Sequence, residues 1–283
     1  MSNKGNVDYM ERTPWDRVQL ARNIQRPRTL EYVQALCEDF VEMHGDRRFG
    51  DDIAMIGGVA SFNGYTVVVI GHQKGRDTRE NVRRNFGMAH PEGYRKALRL
   101  FQHAEKFGFP VLCFIDTPGA NPNKASEERG QANAIAENIM AMAALRVPIV
   151  ACVIGEGGSG GALAIGVADC LLMLENSIYS VASPEACASI LWHDSSRAPD
   201  AAQAMRITAQ DLLDIAIADQ VVAEPSEGAH TDSATTIATV GTAMYEHLQH
   251  LLSLDVAALL ARRYHKYRSI GQYHEQSRNL FHS

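Results

Sequence analysis

Two apolar runs near the middle of the chain, Val111–Ile115 and Ile149–Ile154, each break off in a glycine-containing turn that leads into a helical pattern. The first turn reads Asp116-Thr117-Pro118-Gly119-Ala120-Asn121-Pro122-Asn123, the second Gly155-Glu156-Gly157-Gly158-Ser159-Gly160-Gly161. Short continuous apolar runs are the pattern of strands buried on both faces, and such strands require helices on both sides of a sheet. The repetition of strand, turn and helix therefore predicts α/β layering. Strand-end turns on neighbouring strands of such a sheet are where ligands bind.

The flanking sequence supplies further elements. Thr29 to Gly45 predicts a helix whose inner face is Leu30, Val33, Leu36, Cys37, Phe40 and Val41, with Gly45 ending it. Two strands around Asn63-Gly64 predict a type I′ hairpin. Tyr94 to Phe107 predicts a helix closed by Gly108. Glu127 to Leu145 predicts another, with Ala132, Ile135, Ala136, Ile139 and Met142 facing inward. Leu171–Leu174 reads as a strand, Pro184 opens a helix ending near Trp192, and Thr208 with Asp211 forms a capping signal. A long amphipathic helix is expected from Ala234 to about Arg262. No linker-like stretch interrupts this order, so residues 15–262 are expected to form a single domain, between a polar tail at 1–14 and a second tail at 263–283.

Composition narrows the function classes. Across 283 residues, 46% hydrophobic and 21% charged content is that of a globular chain, and the net charge of −6 argues against a general polyanion or nucleic-acid binder. Five cysteines without a C-x-x-C pair support neither a disulfide framework nor a zinc site, and point to a reducing, cytoplasmic setting. Glu156 and Asp169 interrupt the least charged stretch, so no membrane span is expected. Between Lys74 and Arg99 lie Lys74, Arg76, Arg79, Arg83, Arg84, Arg95, Lys96 and Arg99 against only Asp77, Glu80 and Glu92. That segment reads either as a solvated helix face or as a surface for carboxylate, phosphate or an acidic partner.

The second glycine turn satisfies G-x-G-x-x-G, and Glu175 follows Gly155 at the spacing of an adenosine-ribose acid. Against a dinucleotide site, the helix before Asp169 is only about eight residues, short for a βαβ crossover. The motif also sits far from the first βα turn of the chain. No Lys-Ser or Lys-Thr follows, which excludes a P-loop. Ser159 has no obvious base in the sequence. Tight packing, anion or oxyanion binding by backbone N–H groups, and a dinucleotide all remain open on the residues alone.

Longer strings go further. "HGDRRFGDD" from His44, "GHQKGRDT" from Gly71, "RRNFGMAHPEGYRKALRL" from Arg83, "FIDTPGA" from Phe114, "EERGQ" from Glu127, "VIGEGGSGGALAIGVAD" from Val153, "SPEACASILW" from Ser183 and "ITAQDLL" from Ile207 occur in order. Together, over Arg26 to Asp232, they resemble the α subunit of bacterial acetyl-CoA carboxylase carboxyltransferase. The resemblance implies a crotonase-like α/β fold of repeated ββα units. It implies transfer of a carboxyl group from carboxybiotin, on a biotin carboxyl carrier protein loaded by biotin carboxylase, to acetyl-CoA, giving malonyl-CoA. It also implies an α2β2 assembly with a zinc-bearing β subunit and no metal in this chain. A non-catalytic or specialised scaffold for a related acyl-CoA carboxylase is the alternative. By motif match, the backbone N–H groups of Gly160 and Gly161 form the oxyanion hole, and Gly119, Ala120, Gly157 and Gly158 line the carboxybiotin pocket. Asn121 and Asn123 stand where the family usually has an aromatic residue and a glycine, and Glu227 where a second glycine is common.

Overall fold

The computed structural model describes residues 12–271. Two helices, α1 (Pro14–Ala21) and α2 (Thr29–Leu36), precede an edge strand β1 (Glu38–Glu42) and the hairpin β2 (Met55–Phe62) and β3 (Tyr65–His72). Then come α3 (Thr78–Arg83), α4 (Pro91–Phe107), β4 (Val111–Thr117), α5 (Lys124–Glu128), α6 (Gln131–Ala144), β5 (Ile149–Gly158) and α7 (Ser159–Leu163). The chain continues through β6 (Cys170–Leu174), β7 (Ile178–Ser180), α8 (Pro184–Trp192), α9 (Ala198–Met205) and α10 (Ala209–Asp214). It ends with β8 (Gln220–Val222), α11 (Ser233–Leu252) and α12 (Val256–Arg268). The sheet runs β1-β2-β3-β4-β5-β6-β8, with β7 paired to the far end of β5. β1, β2 and β3 are antiparallel, and the pairs from β3 onward are parallel. β2, β3 and α4 make a complete ββα unit.

The local reasons are readable. Asn63 and Gly64 both take positive φ, as a two-residue I′ turn requires, and align β2 with β3 over their full length. Gly108 caps α4 in the left-handed conformation at φ 71°. The alternating residues of β3, β4 and β5 divide between two apolar layers. Val68, Ile70, Cys113, Ile115, Ala151 and Val153 pack under α4 and α6, while Val69, Leu112, Phe114, Val150 and Cys152 pack under α2 and α11.

Three expectations are corrected. The helix predicted over Thr29–Gly45 stops at Leu36, where Cys37 turns extended, and Glu38–Glu42 joins the edge of β2 instead, with Asp39 at φ 52° inside the register shift of that pairing. Gly58 permits that close pairing, since a Cβ there would lie 2.2 Å from the Val41 carbonyl oxygen. The helix predicted over Glu127–Leu145 is split by Gly130 at φ 84°, and α6 turns Gln131, Ala134, Asn138 and Met142 inward while Ala132 and Ala136 are exposed. The long C-terminal helix is two helices, and Asp255 caps the second by accepting from the Ala258 N–H.

Of the polar tail expected at 1–14, residues 1–11 lie outside the described residues, whereas Thr13 caps α1 with a reciprocal Asp16 bond. Of the tail expected at 263–283, residues 272–283 lie outside them, and α12 carries the fold past 262. Arg263 is fully buried there. Its Nε and one Nη meet Asp169 at 2.8 and 2.7 Å, and its remaining bonds reach the carbonyls of Met142, Leu145 and Val147. Asp169 in turn accepts from the Ile149 N–H at the start of β5.

Removing that guanidinium leaves a buried carboxylate without its cation, with the Ile149 N–H still donating to it, and takes a donor from each of three carbonyls. Arg263→Met is therefore expected to lower unfolding stability by about 3–5 kcal/mol, read by denaturant titration; a change below about 1 kcal/mol would refute this role.

Candidate active site at two glycine turns

β4 and β5 are adjacent and parallel, so the turns that follow them emerge side by side. They are in backbone contact. A Cβ on Gly158 would sit 2.1 Å from the Pro118 carbonyl oxygen, and one on Gly161 would sit 2.5 Å from the Ala120 nitrogen. A Cβ on Gly157 would lie 2.2 Å from the Tyr179 ring. Gly119 holds φ at +151°, a region open to glycine. Five of the six predicted positions, Gly119, Ala120, Gly157, Gly158 and Gly161, are thus brought together; packing accounts for Gly157, Gly158 and Gly161, and backbone conformation for Gly119.

Gly160 differs. A Cβ there would meet only Ile135, at an ordinary 3.6 Å, and its φ is not positive. It faces a cavity of about 570 Å³ whose walls include Leu163, Tyr179, Val181, Ile207 and Ile215. Val181 and Ile215 remain 83% and 43% exposed, so the apolar wall is open on one side. No G-x-S-x-G elbow was expected, yet Gly157 to Gly161 spell that pattern, and Ser159 turns from strand to helix at φ 52°. Among the described residues no histidine is hydrogen-bonded to its hydroxyl, so the turn presents backbone rather than an activated nucleophile.

Beneath the turns lies a charged cluster that sequence reasoning missed. Lys74 Nζ, just after β3, reaches Asp116 Oδ1 at 2.8 Å and Glu156 Oε2 at 2.7 Å. Arg28 closes on the other Asp116 oxygen at 2.9 Å, and Arg22 joins Glu156 at 2.7 Å and Glu185 at 2.5 Å. The Glu156 N–H donates to Asp116 Oδ1 at 3.1 Å, tying β4 to β5 once more. Asp116 is 1% exposed and fully ion-paired. Burial disfavours its charge, yet Lys74 and Arg28 hold its carboxyl at about 2. Burial likewise opposes the Lys74 charge, and Asp116 and Glu156 outweigh it, raising that ammonium's pKa. No short-range pattern relates positions 74, 116 and 156; only the parallel order of β3, β4 and β5 does.

The rest of the basic segment is mostly internal structure. Arg84 pairs with Glu80, Arg95 with Asp46 and Glu92, and Lys96 with Asp51, while Arg79 and Arg83 stay exposed on α3. The two asparagines are also structural. Asn121 is buried and accepts from the Asn123 N–H, and Asn123 caps α5 by accepting from the Ser126 N–H.

A twisted sheet that ends in paired glycine turns is the crotonase-like fold, and solved structures of that class superpose on the chain. Transcarboxylase 12S does so with a TM-score of 0.61 at 17% identity, covering 84% of this chain and 46% of that one. The β subunit of P. aeruginosa geranyl-CoA carboxylase does so at 0.60 and 18%, covering 89% and 45%. The chain thus spans a little under half the length of either. It belongs to the acetyl co-enzyme A carboxylase carboxyltransferase-like family, whose model matches residues 2–271. Among curated relatives, it is 58% identical to the acetyl-coenzyme A carboxylase carboxyl transferase subunit alpha of Heliobacterium modesticaldum, over 93% of this chain and 78% of that protein. It is 57% identical to the same subunit of Bacillus velezensis, over 93% and 81%.

One titratable group beneath the site has no ion pair. His72 is completely buried at the end of β3, beside the Gly161 backbone. Burial pushes its pKa from 6.5 to about 3. The unfolded chain therefore takes up a proton that the folded chain refuses. Stability is full above pH 6.5 and falls as pH drops toward 3, by about 1.4 kcal/mol per unit. His72→Gln is expected to flatten the stability–pH curve between about pH 6.5 and 4.5; an unchanged slope would show that the imidazole is protonated in the fold.

Proposed function

We propose that the chain is the carboxyl-transferring α subunit of an acetyl-CoA carboxylase, supplying the biotin side of an active site completed by a β subunit. The observation that carries this reading is Gly160, the turn glycine with free space above it. Neither its φ nor its packing calls for glycine, so the absent Cβ is accounted for by a ligand approaching the backbone.

The site suits the cofactor the family implies. A bent, cis-fused bicycle with an apolar thioether ring and one polar ureido edge matches a largely apolar cavity with backbone N–H groups at one wall. When bound, carboxybiotin on its carrier protein supplies the carboxyl group and, once decarboxylated, the base for the acetyl methyl group. This chain's part is electrostatic. The first-turn N–H groups of α7, at Gly160 and Gly161, have no partner earlier in the helix and are fixed in direction by the contact of Gly161 with Ala120. Fixed donors stabilise negative charge developing on a nearby oxygen without reorganising. Gly119, Ala120, Gly157 and Gly158 hold those donors in register. The open side of the cavity, at Val181 and Ile215, is where the β subunit would close the pocket and bring acetyl-CoA, in an α2β2 assembly served by biotin carboxylase.

Two outcomes test the reading. Purified chain mixed with the β subunit is expected to form malonyl-CoA from carboxybiotin and acetyl-CoA; a stable complex without transfer refutes it. Gly160→Ala should leave stability unchanged or raise it by up to about 1 kcal/mol, because alanine is the better helix former. The same variant should reduce kcat of the complex by about tenfold or more, since a methyl group would stand in the ligand's approach. Unimpaired transfer by that variant would favour the scaffold alternative instead.

A further inference from the structure

We infer that Lys74 is a positioning residue: its ammonium, bridging Asp116 and Glu156, sets the spacing of the two glycine turns and so the aim of their N–H groups. The inference rests on the reading of those turns as an oxyanion site.

The geometry is specific. Asp116 is the residue before Thr117-Pro118-Gly119, and Glu156 is the residue before Gly157-Gly158. Lys74 therefore grips each strand immediately upstream of its turn, at 2.8 and 2.7 Å. The strands need such a tie at this level. The β4/β5 register shifts between Ile115 and Thr117, and beyond it β5 leaves β6 to pair with β7. Regular ladder bonds thus give way where the turns begin. Two neighbouring glycines are shaped around the bridge. A Cβ on Gly155 would strike Asp116 Oδ1 at 2.5 Å, and one on Gly87, at φ +76°, would lie 2.9 Å from Lys74 Cγ.

The surrounding charges decide what happens without the lysine. Arg28 faces Asp116 from the start of α2, and Arg22 faces Glu156 from the end of α1 but shares itself with Glu185 on α8. Arg26, also near Asp116, is bound to Glu224. His72 is neutral and Tyr32, buried nearby, keeps its proton, so neither replaces the missing cation. Removing Lys74 leaves two adjacent buried carboxylates with one cation too few. Such a pair relieves itself by holding a proton, which it loses as pH rises. The turns are then pushed apart at high pH and drawn together at low pH.

The test compares wild type, Lys74→Met and Lys74→Met/Glu156→Gln in the complex with the β subunit, between about pH 6 and 8.5. For Lys74→Met, kcat is expected to fall about tenfold or more as pH rises, with KM for acetyl-CoA within about twofold of wild type. The double variant, with one carboxylate neutralised, should lose that pH limb. Amide hydrogen exchange, which needs no turnover, should rise in Lys74→Met at residues 117–121 and 157–161 together and return toward wild type in the double variant. A pH-independent kcat close to wild type, or exchange confined to the segment around residue 74, overturns the inference. If Lys74→Met does not fold, Glu156→Gln alone decides: exchange must rise at 117–121 as well as at 157–161, and a rise at 157–161 only overturns the inference. Failure of the functional reading looks different. Wild type would then not transfer, or Gly160→Ala would transfer normally, while the exchange data still judge the coupling.

Discussion

The feature on which the rest depends is the backbone contact between the turns after β4 and β5. Gly158 and Gly161 lie closer to Pro118, Gly119 and Ala120 than any side chain would allow. Such an approach must be held in place. On the sheet side it is held by apolar packing of β4 and β5, which have no exposed residue along either strand. At the strand ends it is held by the buried charges of Lys74, Arg28, Asp116 and Glu156. A buried ion cluster adds little net stability compared with apolar side chains of the same volume. It does impose directions and distances that apolar side chains cannot, and at this point in the fold distance is what matters.

The two glycine turns answer the question left open by the glycine-rich sequence, and the answer differs from residue to residue. Gly157, Gly158 and Gly161 satisfy the reading in which glycine serves tight packing. Gly160 does not, and it is the one that opens on the cavity. A motif therefore need not have one purpose. Four of its five glycines, Gly155 among them, are required by close packing, and the fifth leaves the turn approachable.

Much of the scaffold was legible because its signals are local. Asn63-Gly64 fixes a hairpin, Gly108 ends a helix, and Thr208 with Asp211 starts one, each through backbone geometry confined to a few residues. The misses share a different cause. The pattern from Leu30 to Val41 fits a helix well, but the unpaired edge of β2 drew its second half into a strand. In α6 the left-handed Gly130 reset the helical phase, so the inward face is not the one with the most apolar residues, and Asn138 takes an interior position. The charged cluster was illegible for a third reason. Lys74 looked like one cation among eight on a surface segment, and only the sheet order places it between two carboxylates.

Two guanidinium groups clamp β5, one near its middle and one, through Asp169, at its start. Arg26 reaches the Ile154 carbonyl together with Glu224, and Arg263 holds Asp169, which holds the Ile149 N–H. One clamp is made early in the chain and the other very late. The strand at the centre of the sheet is thus anchored by residues from near both ends of the described chain, so a shortening at either end reaches β5 without touching it.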